Sequence, residues 1–144
     1  MYLSLFTSYA LKTLILVGSN DPNLVTILQV SNVYRIPKNH LTKVAHKLGR
    51  AGYLNNFQGR NGGMSLARSA NEIRIGEIVR FCEGERPFIE CFDTEANQCI
   101  ITPVCRLRHV VADAYSDFFA SLDSRTLADI VIHPRDSQTL LEVR

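Results

Sequence analysis

From Pro22 to Asn71 the chain contains neither aspartate nor glutamate. Within that interval Arg35, Lys38, Lys43, Lys47, Arg50, Arg60 and Arg68 stand unopposed, a local charge of +7. From Glu72 onward thirteen acidic residues face eight arginines, so the modest net charge of +2 hides a divided molecule. A basic block in one half of a small chain is the electrostatic footprint of a polyanionic partner. A merely solvated basic face is the commoner explanation of such a block, but it does not account for so long a stretch without acid.

Other absences narrow the function further. The apolar-looking run LSLFTSYALKTLILVG lacks a basic leader, is interrupted by Ser4, Thr7, Ser8 and Lys12, and is followed by no small-residue cleavage site. It reads as an amphipathic helix and not as a signal peptide or a membrane span of about 20 apolar residues. A cytoplasmic protein with no membrane partner is expected. No nucleophile–base constellation, phosphate-cradling loop or pair of carboxylates in a pocket-forming context is present, which argues against an enzyme. With 46% hydrophobic residues in 144, the chain can still bury one core.

The basic block is organised as helices. A first helix spans 4–17 on the stripe Phe6, Ala10, Leu14 and Val17. Thr26 and Gln29 form a capping box that opens a second helix reaching Val33 or Tyr34. After the turn Arg35–Ile36, Pro37 starts a third, about 37–51, with Leu41, Val44, Ala45 and Leu48 on its inner side. His40, Lys43, Lys47 and Arg50 recur at helical spacing on the other side, and Gly52 ends the helix. Two short helices joined by a tight turn, the second basic outside, make a helix-turn-helix. Gly59-Arg60-Asn61-Gly62-Gly63 between short apolar runs then predicts a β-hairpin, a wing whose tip presents Arg60 and Asn61.

The expected fold is mainly α with a small β-wing: a winged helix-turn-helix DNA-binding domain plus a long C-terminal dimerisation helix. Residues 1–83 form the DNA-binding domain, 84–106 a cysteine-rich loop, 103–133 the dimerisation helix with a short terminal helix, and 134–144 a tail. Asn39 and His40 are placed for base edges. Lys43, Lys47 and Arg50 are placed for phosphates, and Arg60 and Asn61 for the minor groove or backbone. Replacing Lys47 with Ala should then weaken binding to all sequences alike and flatten the salt dependence by about one unit. In a helix over 74–83, Ile75, Ile78, Val79 and Cys82 share one face, so Cys82 is a core thiol. Leu107, Val110, Val111, Ala114, Phe118 and Leu122 outline a long helix from 103 to 122. A second copy is the economical cover for it, because palindromic operators call for two-fold dimers. Thr126 and Asp129 cap a last helix, Leu127 to Ile132.

Cys91, Cys99 and Cys105 fall within fifteen residues, on a polar loop and at the mouth of the long helix. Their spacing suits an iron–sulfur or other metal site. Zinc remains open because His109 follows four residues after Cys105, although no CxxC pair is present. Structural or redox thiols also remain open; disulfides fit poorly with a reducing compartment.

At FTSYALKTL, KNHLTKVAHKLGRAGY, GRNGGMSLAR, IRIGEIVR, CIITPVCRL and TLADIV the chain resembles the dimeric winged-helix repressors that bind iron–sulfur clusters, above all their nitric-oxide-sensing branch. The resemblance covers essentially the whole chain. It implies a repressor whose cluster, 4Fe–4S or 2Fe–2S, is held by Cys91, Cys99 and Cys105, with the remaining position supplied from the partner subunit's first helix. There Ser8 stands where the family often has aspartate. Arg108 stands where the cluster-assembly regulators of this superfamily carry a ligand histidine. Attack of nitric oxide on the cluster would lower operator binding and release nitrosative-stress genes. Iron-responsive members also use three cysteines, so an iron or redox signal is the alternative, and a zinc-stabilised DNA-binding module a further one.

Overall fold

The computed structural model describes residues 3–84 and 87–132. Among the described residues, four α-helices and one two-stranded hairpin form the head, and a long fifth helix packs on it near its carboxyl end. Helix α1 (Leu5–Ser19) opens on Ser4, whose side chain accepts the Thr7 amide. Helix α2 (Ile27–Tyr34) carries the expected Thr26–Gln29 capping box, and Arg35 closes it in the left-handed region at φ 55. That turn redirects the chain into α3 (Lys38–Arg50), whose buried residues are Leu41, Val44, Ala45 and Leu48, the stripe read from the sequence. Gly52, at φ 77, reverses the chain after α3, where a side chain would be strained.

Strands β1 (Leu54–Phe57) and β2 (Gly63–Leu66) pair antiparallel from Leu54↔Leu66 to Phe57↔Gly63, leaving Arg60 and Asn61 exposed at the tip. The wing is tied to the head at several points. Val25 and Met64 exchange backbone hydrogen bonds at 3.0 and 2.8 Å. Asn56 Nδ2 donates to the Ala45 carbonyl of α3 at 2.9 Å. Gly49 makes this last contact possible, because a Cβ there would run into the Asn56 amide.

Helix α4 (Ile75–Glu83) buries Ile75, Gly76, Ile78, Val79 and Cys82. The core thiol expected at Cys82 is there. Burial pushes its pKa up to about 11, against a smaller lowering by Lys47. Helix α5 (Arg106–Asp123) starts three residues later than the periodicity predicts, since Thr102–Val104 form a separate 3-10 turn and Cys105 is the N-cap. Only Phe119 of α5 is buried, near its carboxyl end. There Arg80 of α4 pairs with Asp123 through both guanidinium nitrogens, one of them at 2.9 Å, and caps the Phe119 ring at 4.4 Å. The chain then returns to the head, with the Leu127 amide donating to the Ile73 carbonyl at 2.8 Å. The last helix predicted from Leu127 to Ile132 is a single 3-10 turn, Leu127–Asp129, although its Thr126–Asp129 capping box is present. The turn does not continue to Ile132 because Val131 and Ile132 pack back on the end of α1, where the Ile132 amide donates to Ser19 Oγ. The tail expected over 134–144 lies outside the described residues. Among the described residues no helix is long and apolar enough to cross a membrane.

Two buried threonines sit inside the apolar stripe of α1. Thr13 Oγ1 donates to the Tyr9 carbonyl within its own helix. Thr7 donates instead to Glu83, the last residue of α4, which also accepts the Ser4 amide at 2.8 Å. A buried hydroxyl without a partner would be costly, so Thr7 reports that the start of α1 is built to meet the end of α4.

Candidate nucleic-acid interface and cysteine loop

At 100° per residue, the buried stripe of α3 puts Asn39, Lys43, His46 and Arg50 at the middle of its outer face. All four are exposed. His40 and Lys47 fall to one flank. The His40 ring lies 5.9 Å from Tyr9 of α1. The Lys47 ammonium lies over Phe6 of α1 at 4.7 Å and over Phe81 of α4 at 5.2 Å. Lys47 therefore has a second engagement, a cation–π clasp between three helices, which its place in the sequence does not reveal. His46, absent from the expected contact set, lies nearer the centre. It borders a cleft of about 500 Å³ between α3 and the wing, lined also by Thr42, Phe57 and Gly59. The 100° step of the helix was the signal for it.

The wing base and α4 share a half-buried polar knot. Burial alone would raise the Glu77 carboxyl. Hydrogen bonds from Arg68 and Tyr53, with the Arg68 charge, outweigh burial and hold it below the ordinary glutamate value of 4.5. Tyr53 is raised, first by burial and then by its bond to Glu77. Arg68 is thus a structural cation, and the charge offered outward is smaller than the sequence count of the basic block. A carboxyl that holds its proton less tightly when folded contributes stability that is complete above its unfolded value and is lost as acid protonates the folded group. Urea midpoints should therefore fall as pH drops through and below 4.5. Glu77→Gln should flatten that fall; an unchanged acid dependence would contradict the assignment.

The cysteine loop leaves α4 and reaches α5 with little packing beneath it. The Phe88 ring packs tilted against Tyr115 at 5.4 Å, and Tyr115 meets Phe119 edge-on at 4.9 Å. Cys91 lies in a 3-10 turn (Glu90–Phe92), and its carbonyl accepts from Arg108 Nε at 3.2 Å. Asp93 accepts from the amides of Glu95 and Ala96, and Asn97 from that of Cys99, which keeps the polar middle of the loop wound on itself. All four cysteines are free; Cys91 and Cys105 are partly exposed and Cys99 is exposed. Ser8 is half-buried on α1.

The sequence suggests thiolates converging on one point, and this conformation does not bring them there. Among the described residues no three His, Cys, Asp or Glu side chains come together to hold a metal ion, and His109 adds no fourth donor. The loop is held by short-range bonds at Asp93 and Asn97 and by longer ones from Gln98 to Glu90 and from Arg108 to Cys91, none of which involves a sulfur. The donor chemistry nevertheless suits iron or an iron–sulfur group: three uncommitted thiols on one segment, none in the core and none in a disulfide. In metal-free protein, timed alkylation followed by mass spectrometry should label Cys99 first and Cys82 last. With a pKa of about 11, Cys82 should lag on the order of a hundredfold behind an exposed thiol. Simultaneous labelling of Cys82 and Cys99 would show that the α4 face is not closed.

Beside the loop lies an uncovered apolar edge. Ile100 is 92% exposed, Val104 80%, Leu107 66% and Val110 63%. Residues of this type on one helix end and its adjoining turn are the mark of a protein–protein surface.

The Rrf2 family, described as "Iron-dependent Transcriptional regulator", matches residues 3–133. The chain is 41% identical over 145 residues to the HTH-type transcriptional regulator NsrR of Bacillus subtilis (strain 168), covering 100% of this chain and 99% of that protein. It is 39% identical to the NsrR of Shouchella clausii (strain KSM-K16), covering 100% and 97%. Among solved structures, it is similar in fold to T. potens IscR, with a TM-score of 0.70 at 22% identity over 90% of this chain and 85% of that one. CymR (YrzC), the global cysteine regulator of B. subtilis, gives a TM-score of 0.70 at 22% identity over 90% and 95%.

Proposed function

The chain belongs to the Rrf2 family of transcriptional regulators and is not an enzyme, and from that premise we propose that it is a cytoplasmic repressor whose hold on a palindromic operator is governed by an iron–sulfur group responsive to nitric oxide. The observation that carries this reading is the position of three uncommitted thiols on the loop that joins α4 to α5. Helix α4 supports the wing and the recognition helix, and α5 bears the uncovered apolar edge. Cys91, Cys99 and Cys105 would hold the group, 4Fe–4S or 2Fe–2S, with the partner subunit's Ser8 at the remaining position. Iron in such a group takes nitric oxide as a ligand, and that is the chemistry it would supply.

The chain's own residues do the rest. Arg108 holds the Cys91 segment against α5. Arg80 and Asp123 carry the setting of α5 to α4. Phe81, through Lys47, carries it to the recognition helix. There Asn39, His40 and His46 read base edges, while Lys43 and Arg50 meet phosphate, with Lys47 adding less. Arg60 and Asn61 enter from the wing. A homodimer formed through Ile100, Val104, Leu107 and Val110 sets the spacing of two such heads.

The test is a visible absorption spectrum of protein purified without oxygen, before and after nitric oxide, with operator binding followed in parallel. Iron–sulfur bands that collapse together with DNA binding support the reading. They should be missing from a Cys99→Ser variant. The family's iron dependence also supports an iron-responsive regulator on the same residues. A group indifferent to nitric oxide but lost to a chelator, with DNA binding following it, would select that alternative. A colourless protein holding zinc would overturn both. For the DNA face, Lys43→Ala should lower affinity for specific and random duplexes alike and reduce the salt slope by about 0.9. A loss confined to the specific operator would make Lys43 a base reader.

A further inference from the structure

The wing hairpin is only two four-residue strands, and a hairpin of that size is marginal in water without support. At its base two side chains converge on a single oxygen of α4. Tyr53, preceding β1, donates its hydroxyl to Glu77 Oε1 at 2.9 Å. Arg68, following β2, donates Nη2 to the same atom at 2.7 Å. The Arg68 guanidinium also covers the Tyr53 ring at 5.1 Å, and that ring packs on Phe81 at 5.5 Å. The Ala67 amide closes the hairpin mouth on the Tyr53 carbonyl at 3.0 Å. One carboxylate therefore joins the chain entering the wing to the chain leaving it, and both to α4.

We propose that Glu77 is a positioning residue for DNA binding, fixing the base of the wing so that Arg60 and Asn61 reach DNA in register with the outer face of α3. The proposal rests on the reading of the wing as a DNA contact. With strands rising about 3.4 Å per residue, the tip stands roughly 15–20 Å from this clamp. A few degrees of tilt at the base move Arg60 by on the order of an ångström, enough to take a hydrogen bond out of range. Val25 with Met64 and Asn56 with Ala45 tie the middle of the wing to the head, while at its base Glu77 supplies the hydrogen bonds to α4 beside the contact of Tyr53 with Phe81.

The experiment compares the full-length protein with Glu77→Ala, Glu77→Gln, Arg60→Ala and the Arg60→Ala/Glu77→Ala double variant. In the free protein, Glu77→Ala should speed hydrogen exchange at Ala67 and along the β1–β2 ladder, with the amides of α3 unchanged. Operator affinity should fall about five- to tenfold for Arg60→Ala and for Glu77→Ala. The double variant should be no worse than Glu77→Ala alone, because that change already removes the Arg60 contact. Glu77→Gln, whose amide oxygen still accepts both hydrogens, should recover most of the affinity and of the wing's minor-groove footprint. Unchanged exchange in the wing, additive losses in the double variant, or no recovery by Glu77→Gln would each overturn the proposal. An Arg60→Ala variant with undiminished affinity would overturn the wing contact itself, and the proposal with it; only that outcome also removes the reading on which it rests.

Discussion

If the chain pairs through α5 as proposed, replacing Leu107 and Val110 together by aspartate is expected to separate the two copies and to weaken binding to a two-half-site operator by about a hundredfold or more, since linked binding of two heads contributes factors of that size. Affinity for an isolated half-site should change little. The two side chains are 66% and 63% exposed in the protomer, so nothing inside the head is disturbed by losing them. On pairing, each would gain roughly 1.5–3 kcal/mol from leaving water. An aspartate in the same place would instead be desolvated without a partner, which costs more than the aliphatic group contributed. Phe119, the buried residue of α5, and the Arg80–Asp123 pair keep the far end of the helix attached. Sedimentation at micromolar protein, alongside melting of the variant, separates dissociation from misfolding. A variant that stays dimeric would place the interface elsewhere.

The largest expected loss of stability comes from Ile78→Ala. Ile78 is fully buried on α4, in one core with residues of α1, α3 and β1 and with Phe119 of α5. Removing its outer carbons leaves a cavity between elements already tied down by Glu77, Arg80 and Glu83. The site has little freedom to collapse, and the cost should lie toward the upper part of about 2–5 kcal/mol. Against a typical total of roughly 5–15 kcal/mol, this makes the variant marginal at growth temperature. The check is a urea midpoint that falls with an unchanged slope. Cys82→Ala, on the same face but 8% exposed and smaller, should cost clearly less. Equal losses would mean that the inner face of α4 is not graded as the packing shows.

What could be read along the chain was local. The capping boxes at Thr26 and Thr126, the inner stripe of α3, the wing tip and the core place of Cys82 depend on residues within a turn or two of each other. What could not be read joins distant residues. Glu77 meets Tyr53 and Arg68, Thr7 meets Glu83, and Lys47 lies between Phe6 and Phe81; no periodicity announces these pairs. The start of α5 slipped by three residues because Pro103 can open a helix, and here it opens a 3-10 turn that hands the N-cap to Cys105. The last helix shrank to one turn for a similar reason, since its capping box marks a beginning but not a length. The sulfurs could be assigned to one site by composition and resemblance. Among the described residues they do not converge, and the hydrogen bonds that shape the loop, such as Arg108 to the Cys91 carbonyl, join residues that no local pattern pairs.

The uncovered edge of α5 lies apart from the head, which has a genetic consequence. On the proposed homodimer, a copy crippled only in its recognition helix, such as one lacking Lys43 and Arg50, would keep Leu107 and Val110 and still pair with intact copies. Each mixed pair then has one working head. In a cell expressing both, the defective allele should be dominant, and its severity should follow its share of the total protein. An allele crippled in α5 cannot enter such pairs and should be recessive.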